Sequence, residues 1–154
     1  MSTQTITAYL QPDFSRAPLP RGLRELAADM SWDGFLAAYG HSAGPVTLTQ
    51  WNGAAPRCVG PQLCDYQATL DFGGRTRVTS ASASGPIAAL STMLYEHGFG
   101  FEVLNFHQLQ MGRDTVTFIR GTAGTRDDWA MAWSEDATLS ALRAVVACAN
   151  RLSA

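Results

Sequence analysis

Cys64-Asp-Tyr-Gln-Ala-Thr-Leu-Asp-Phe72, followed at once by Gly73-Gly74 and Arg75-Thr-Arg-Val-Thr-Ser-Ala81, is the stretch on which the fold turns. Cys64, Tyr66, Ala68, Leu70 and Phe72 alternate with Asp65, Gln67, Thr69 and Asp71, which predicts a strand with one buried and one wetter face. Two glycines in succession supply the positive φ angles of a two-residue hairpin turn, so Arg75 to Ala81 returns as the partner strand. Upstream, Val46 and Leu48 share one face of a short strand. Downstream, Ser84-Gly85-Pro86 opens a helix with proline in its first turn, burying Ile87, Leu90 and Leu94 and stopping at Gly98.

The same order then returns. Phe99 to Phe106 reads as a strand, Met111 to Asp114 as a turn, and Thr115 to Arg120 as a strand rich in β-branched residues. After a polar stretch from Gly121 to Asp128, Trp129, Met131 and Trp133 alternate with Ala130 and Ala132. Ser134 is expected to cap the last helix, with Glu135 and Asp136 at its positive end and Leu139, Leu142, Val146 and Ala149 as its apolar stripe. The expected class is therefore α+β: duplicated βββα units with pseudo-twofold symmetry, antiparallel sheets covered by helices. Repeat one runs from about 45 to 98 and repeat two from about 99 to 154. Residues 1–42 read as an arm with three prolines (Pro12, Pro18, Pro20) and short accessory helices. The better of these starts at Ser31 and places Trp32, Phe35, Leu36 and Tyr39 on one face before Gly40.

Composition bounds the function. A chain of 154 residues with 46% hydrophobic and 16% charged residues fits one soluble globular domain, and no apolar run approaches the roughly 20 residues of a membrane span. A net charge of −2 without a basic cluster gives no footprint for nucleic acid. The three cysteines (Cys58, Cys64, Cys148) form neither a CxxC pair nor an even set. The expectation is thus free thiols, no zinc site and a reducing, cytoplasmic location; the N-terminal residues also lack the pattern of an export signal.

Four segments carry a resemblance. Trp32-Asp-Gly-Phe-Leu-Ala-Ala-Tyr39, Tyr66-Gln-Ala-Thr-Leu-Asp-Phe-Gly-Gly74, Ser84-Gly-Pro-Ile-Ala-Ala-Leu90 and Ala141-Leu-Arg-Ala-Val-Val-Ala-Cys-Ala-Asn-Arg151 resemble, in order and spacing, the C-terminal part of actinobacterial 2-isopropylmalate synthases. In that family this region is the allosteric, dimerising domain that binds the end product leucine, and the helical stretch before it links it to the catalytic barrel. The barrel, with its metal ligands, is absent from this sequence. The resemblance therefore implies a regulatory-type domain standing without the barrel, not a synthase by itself, with no cofactor and no metal. The implied partners are a second copy in a homodimer, a small amino-acid or keto-acid ligand, and a separately encoded synthase-type enzyme.

An amino acid needs a helix start for its carboxylate, an acceptor for its ammonium and an apolar slot for its side chain. Two βββα units meeting about an axis supply two helix starts, Ser84 to Ala88 and Ser134 to Thr138. Carried across from the family, Gly85, Ile87, Ala88 and Val103 preserve the residue type of the leucine site, and Phe106 replaces a tyrosine. The candidate ligand-binding residues are Ser84, Gly85, Ile87, Ala88, Val103, Phe106, Thr115, Thr117, Trp133 and Ser134. Ala83, Gln110, Thr115 and Trp133-Ser134 depart from the family pattern, and an indole at 133 could fill the slot, so a ligand other than leucine stays open.

Two further readings stay open beside it. One is a structural subunit of a synthase, motivated by the Trp32 helix. The other is an effector cavity turned to chemistry, in which His107 with Ser80, Ser82, Ser84 or Asp114 would serve as base and nucleophile, although no strand-turn motif presents a serine for that role. His41, His97 and His107 share no ligand spacing.

Overall fold

The structure is a computed structural model that describes residues 44–59 and 63–153; the expected arm and Trp32 helix lie outside the described residues. Strands β1 (Val46–Val59), β2 (Leu63–Phe72) and β3 (Arg75–Ala83) precede helix α1 (Pro86–Glu96). Strands β4 (Glu102–Met111), β5 (Asp114–Ala123) and β6 (Arg126–Ser134) precede helix α2 (Ala137–Ser153). Each strand trio forms its own antiparallel sheet, ordered β1-β2-β3 and β4-β5-β6. The architecture is the α+β, twice-repeated βββα arrangement expected from the alternation. Strand β1 is longer than the short strand expected, and the turn before β5 narrows to Gly112 and Arg113.

The duplication is visible in the register. The first residues of β2 and β5 (Leu63, Asp114), of β3 and β6 (Arg75, Arg126) and of the two helices (Pro86, Ala137) are each 51 positions apart. Both first strands carry a bulge at the corresponding place. In β1 it falls between Leu48, opposite Leu70, and Gln50, opposite Thr69. In β4 it falls between Val103, opposite Gly121, and Asn105, opposite Arg120. One inserted residue in an otherwise two-residue period keeps Val46, Leu48 and Trp51 on the same face of β1, against Phe72, Leu70 and Ala68. The hairpin turn at Gly73-Gly74 has φ of 61° and 92°, the left-handed region that favours glycine.

Tyr66, Ala68 and Leu70 are buried as the alternation predicts, and they join Leu90, Met93, Leu94, Leu142, Val145 and Cys148 in one core that draws on both repeats. Helix α2 forms because alanine dominates it, because Asp136 Oδ1 accepts the Leu139 amide at 2.9 Å, and because Arg151 sits in its last turn. The cap is thus Asp136 rather than Ser134. Ser134 Oγ instead accepts the Asp136 amide at 3.1 Å, ordering the approach to the cap. From Ser140 to Asn150 only Arg143 is exposed, since α2 packs on β5 and β6 and also touches α1 and β1.

One side chain joins the last helix to the first strand. The Val46 amide donates to Asn150 Oδ1 at 2.9 Å, and Asn150 Nδ2 donates to the Val46 carbonyl at 2.9 Å. The carboxamide thereby pairs both polar groups of a backbone residue, as a neighbouring strand would. Approach is this close because position 44 is glycine: a Cβ there would lie 2.5 Å from Asn150 Cβ.

The cysteines correct the expectation of free thiols. Cys64 is disulfide-bonded, and the β1–β2 register sets Cys58 and Cys64 opposite one another, a proximity created by the hairpin rather than by sequence spacing. Cys148 is free and buried. Burial pushes its thiol up from 9.0 to about 12, nearby Asp128 adds to the rise, and Arg151 and a hydrogen bond to the Gly121 backbone oppose it. Gly121 is needed beside it, because a Cβ there would stand 2.7 Å from the sulfur and 2.6 Å from the Phe101 ring.

Asn150→Ala leaves the Val46 amide and carbonyl without partners in a buried place, and is expected to destabilise the fold by about 2–4 kcal/mol in urea unfolding; a loss below about 0.5 kcal/mol would mean the clamp is incidental. Cys148 should resist thiol reagents in the native state at pH 8 and react on unfolding. Because its folded pKa lies above the unfolded one, the stability it contributes is present below pH 9 and is lost as pH rises toward 12. Unfolding midpoints measured across that range should fall less steeply in Cys148→Ala.

Candidate functional site

Helix α1 begins without a side-chain cap. Gly85 occupies the N-cap with extended backbone (φ −170°), Pro86 follows at the first helical position, and no acidic residue stands in the first turn. The Gly85 carbonyl accepts the Ala89 amide at 3.0 Å. Ser84 and Ala88 are exposed, and Gly85 and Ile87 half-buried. A Cβ at Gly85 would meet nothing within 4 Å, so the fold places no steric demand for glycine there. The two helix starts therefore differ in chemistry: that of α2 is closed by Asp136, whereas that of α1 presents its backbone amides without a competing side chain.

Strands β4 and β5 bring several of the predicted residues to one face. Val103 and Phe106 lie opposite Gly121 and Ile119, Thr115 lies opposite Ser134, and Thr117 opposite Ala132. By the two-residue period these point to the side that α2 covers. Phe106 is 43% exposed on its edge strand, whereas Thr115, Thr117 and Ser134 are buried. Trp133 pairs with Val116, so its side chain is directed to the other face, away from Thr115, Thr117 and Ser134. His107 pairs with Phe118 on that same opposite face, their rings 6.5 Å apart.

The buried hydroxyls are occupied by one another. Gln108 Nε2 donates to Thr117 Oγ1 at 2.9 Å and to the Ala137 carbonyl at 3.0 Å. Thr117 and Ser140 hydroxyls are 2.7 Å apart, and Ser140 Oγ lies 2.8 Å from the Thr115 carbonyl. A carbonyl can only accept, so Ser140 donates to it and Thr117 donates to Ser140, giving a one-way chain from Gln108 to the backbone of β5. Thr115 Oγ1 in turn donates to Gln110 Oε1 at 3.0 Å. Thr115 and Thr117 thus hold α2 against its sheet. Ser140 and Gln108, which complete the chain, were not among the expected site residues: the i, i+3 spacing that sets Ser140 beside the helix stripe is no different from that of a solvated serine.

A cleft of about 510 Å³ opens where β1 faces the start of α2, lined by Leu48, Thr49, Gln50 and Trp51 on one side and Asp136, Thr138, Leu139 and Arg143 on the other. It holds none of the predicted ligand residues. Trp51 stacks on Tyr66 with ring centroids 5.7 Å apart, and Arg143 Nη1 donates to the Trp133 carbonyl at 3.3 Å. Among the described residues no group of three or more His, Cys, Asp or Glu side chains could hold a metal ion, and no helix is long and apolar enough to cross a membrane.

These features define a duplicated βββα domain with one open and one closed helix start. No family model matches the sequence. The chain is similar to the 2-isopropylmalate synthase of Renibacterium salmoninarum, 28% identical over 148 residues that make up 82% of this chain and 23% of that protein. It is likewise similar to the 2-isopropylmalate synthase of Mycobacterium ulcerans, 29% identical over 155 residues, 94% of this chain and 27% of that protein. The chain is therefore similar to 2-isopropylmalate synthases over most of its length, in keeping with the resemblance of the four sequence segments, and spans about a quarter of the length of the relatives it matches.

Ser140→Ala would remove the link between Thr117 and the Thr115 carbonyl and strand both in a buried place. Its expected effect is a loss of about 1–3 kcal/mol, read as a lower thermal midpoint with unchanged far-UV circular dichroism; full native stability would show that the chain is dispensable.

Proposed function

We propose that this chain is a regulatory-type domain that binds a small amino-acid-like or carboxylate ligand at the start of α1 and associates as a homodimer. The uncapped, acid-free start of α1 carries the reading, supported by similarity to 2-isopropylmalate synthases over most of the chain. A carboxylate accepting the first amides of α1 takes the place of the absent cap, where the helix dipole favours negative charge. Ser84 supplies a hydroxyl beside it, and Gly85 leaves room for close approach. Ile87, Ala88, Val103 and Phe106 form the apolar side of the site; Thr115, Thr117 and Ser134 act behind it by fixing α2 and its sheet. Trp133 lies on the far face of that sheet and does not fill the slot. The exposed Leu104 and Phe106 on edge strand β4 suit a second copy of the chain.

A second reading is a structural subunit for a separately encoded synthase, favoured by the similarity to enzymes about four times as long. Co-purification separates the two, since a structural subunit recovers a catalytic partner whether or not a small molecule is bound.

The test is a thermal-shift screen against branched-chain and aromatic amino acids and their 2-keto acids. A ligand at 100 times its Kd should add about 2.7 kcal/mol to stability. Gly85→Asp places a negative charge where the carboxylate would sit; it should abolish the shift while changing the stability of the free protein by only a few tenths of a kcal/mol. A shift retained in Gly85→Asp would move the ligand away from α1.

A further inference from the structure

We propose that the cleft between β1 and α2 is a second small-molecule site, taking an α-amino acid with an apolar side chain. This cleft shares no residue with the site at the start of α1.

The internal repeat relates the two places. The β1 bulge sets Leu48 opposite Leu70 and Trp51 opposite Ala68, and the β4 bulge sets Val103 opposite Gly121 and Phe106 opposite Ile119. Leu70 and Gly121, like Ala68 and Ile119, are separated by the same 51 positions as the elements that carry them. Leu48 and Trp51 are therefore the counterparts of Val103 and Phe106. The helix side follows the same offset: Thr138 and Leu139 correspond to Ile87 and Ala88, and Asp136 to Gly85. Duplication has thus produced two places in which the bulged first strand of one unit can face a helix start, and at β1 the described residues line a cavity.

Its chemistry is distinct from that of the other half. At about 510 Å³ the cavity lies in the range of small-molecule pockets. Leu48, Trp51 and Leu139 give an apolar wall, and Trp51 is held in place by its stack on Tyr66. Asp136 and Arg143, from the same helix, supply opposite charges at the rim. They stand two turns apart, yet long helical side chains lean toward the N-terminus, and the Arg143 contact with the Trp133 carbonyl shows its guanidinium reaching back toward the start of α2. That contact uses one of five N–H donors, leaving the fork for a carboxylate. Asp136 accepts one hydrogen bond, from the Leu139 amide, and a carboxylate has capacity for about three more, enough for an ammonium. Where the α1 start would hold a carboxylate by a glycine and bare backbone amides, this cleft offers a cation, an anion and an indole side chain, the complement of a zwitterion with an apolar tail.

The experiment is calorimetric titration of the full chain with L-phenylalanine, followed in parallel by tryptophan emission. Wild type should bind with a change in emission that Trp51→Phe abolishes. Arg143→Gln, at an exposed position, should keep the native circular dichroism and weaken binding by roughly 10- to 100-fold. Ala88→Arg, which obstructs the α1 start, should leave this binding unchanged. Absence of heat in the wild type, or undiminished affinity in Arg143→Gln, overturns the proposal. Binding lost in Ala88→Arg and kept in Arg143→Gln overturns it in favour of the α1 site; the reverse pattern supports the cleft.

Discussion

The carboxamide of Asn150 is the point on which the two halves of the molecule depend. Three-stranded sheets with one covering helix bury little on their own, and each unit here needs the other to complete its core. The last turn of α2 and the first residue of β1 lie at opposite ends of the described chain, 104 residues apart. Asn150 makes them neighbours by giving Val46 the pair of hydrogen bonds a strand would have given. Apolar packing alone would hold α2 near β1 without fixing its rotation or its height. A buried amide that must satisfy both a donor and an acceptor admits one register, which is the specificity polar groups contribute where apolar contacts are tolerant.

The same helix is fixed on its other side by hydroxyls, and comparison of the repeats shows why. At equal places in the two units the first has Tyr66, Ala83 and Ala89 and the second has Thr117, Ser134 and Ser140. The first solution fills the space under its helix with a ring and methyl groups. The second closes it with a directed chain of hydrogen bonds from Gln108 to the Thr115 carbonyl. Both satisfy the rule that a buried group must be either apolar or paired, but the polar solution ties the edge strand β4 to the helix through Gln108, which the apolar one does not do for β1. Across the two units, β1 is held to the end of α2 at Asn150, and a cleft separates its bulge from the start of that helix.

Much of this was legible in the sequence, because each unit announces its strands by a two-residue period and its turns by glycine. The alternation from Cys64 to Phe72, the Gly73-Gly74 turn and the return of the order fifty residues later suffice for the sheets and helices. Periodicity carries no trace of a bulge, so the length of β1 and the inward turn of Trp51 could not be read. It also could not tell Asp136 from Ser134 as the cap, since both are good cap residues two positions apart. The cysteines misled for a related reason: pairing across a hairpin is set by register, and three thiols with no CxxC spacing give no count from which to expect it. Of the candidate site residues, alternation could have excluded Trp133 from the face of Thr115, Thr117 and Ser134, since it precedes Ser134 by one position and pairs with Val116.

Duplicated folds start with two equivalent sites and keep them only while both are constrained. In this chain the two helix starts have parted company in a chemically consistent way. One has glycine and proline, no charge and no cap; the other has a capping aspartate, with an arginine seven residues further along the helix. A helix start with glycine at its cap gives up only a few tenths of a kcal/mol relative to the best capping residues, so its amides are left free at little expense to the fold. A helix start that caps itself has no such vacancy, and whatever binds beside it must be recognised by side chains instead. Under the two proposals the asymmetry of the caps becomes an asymmetry of recognition: backbone amides would select for an anion of almost any shape, whereas Trp51, Asp136 and Arg143 would discriminate by the spacing of two charges and the bulk of an apolar group.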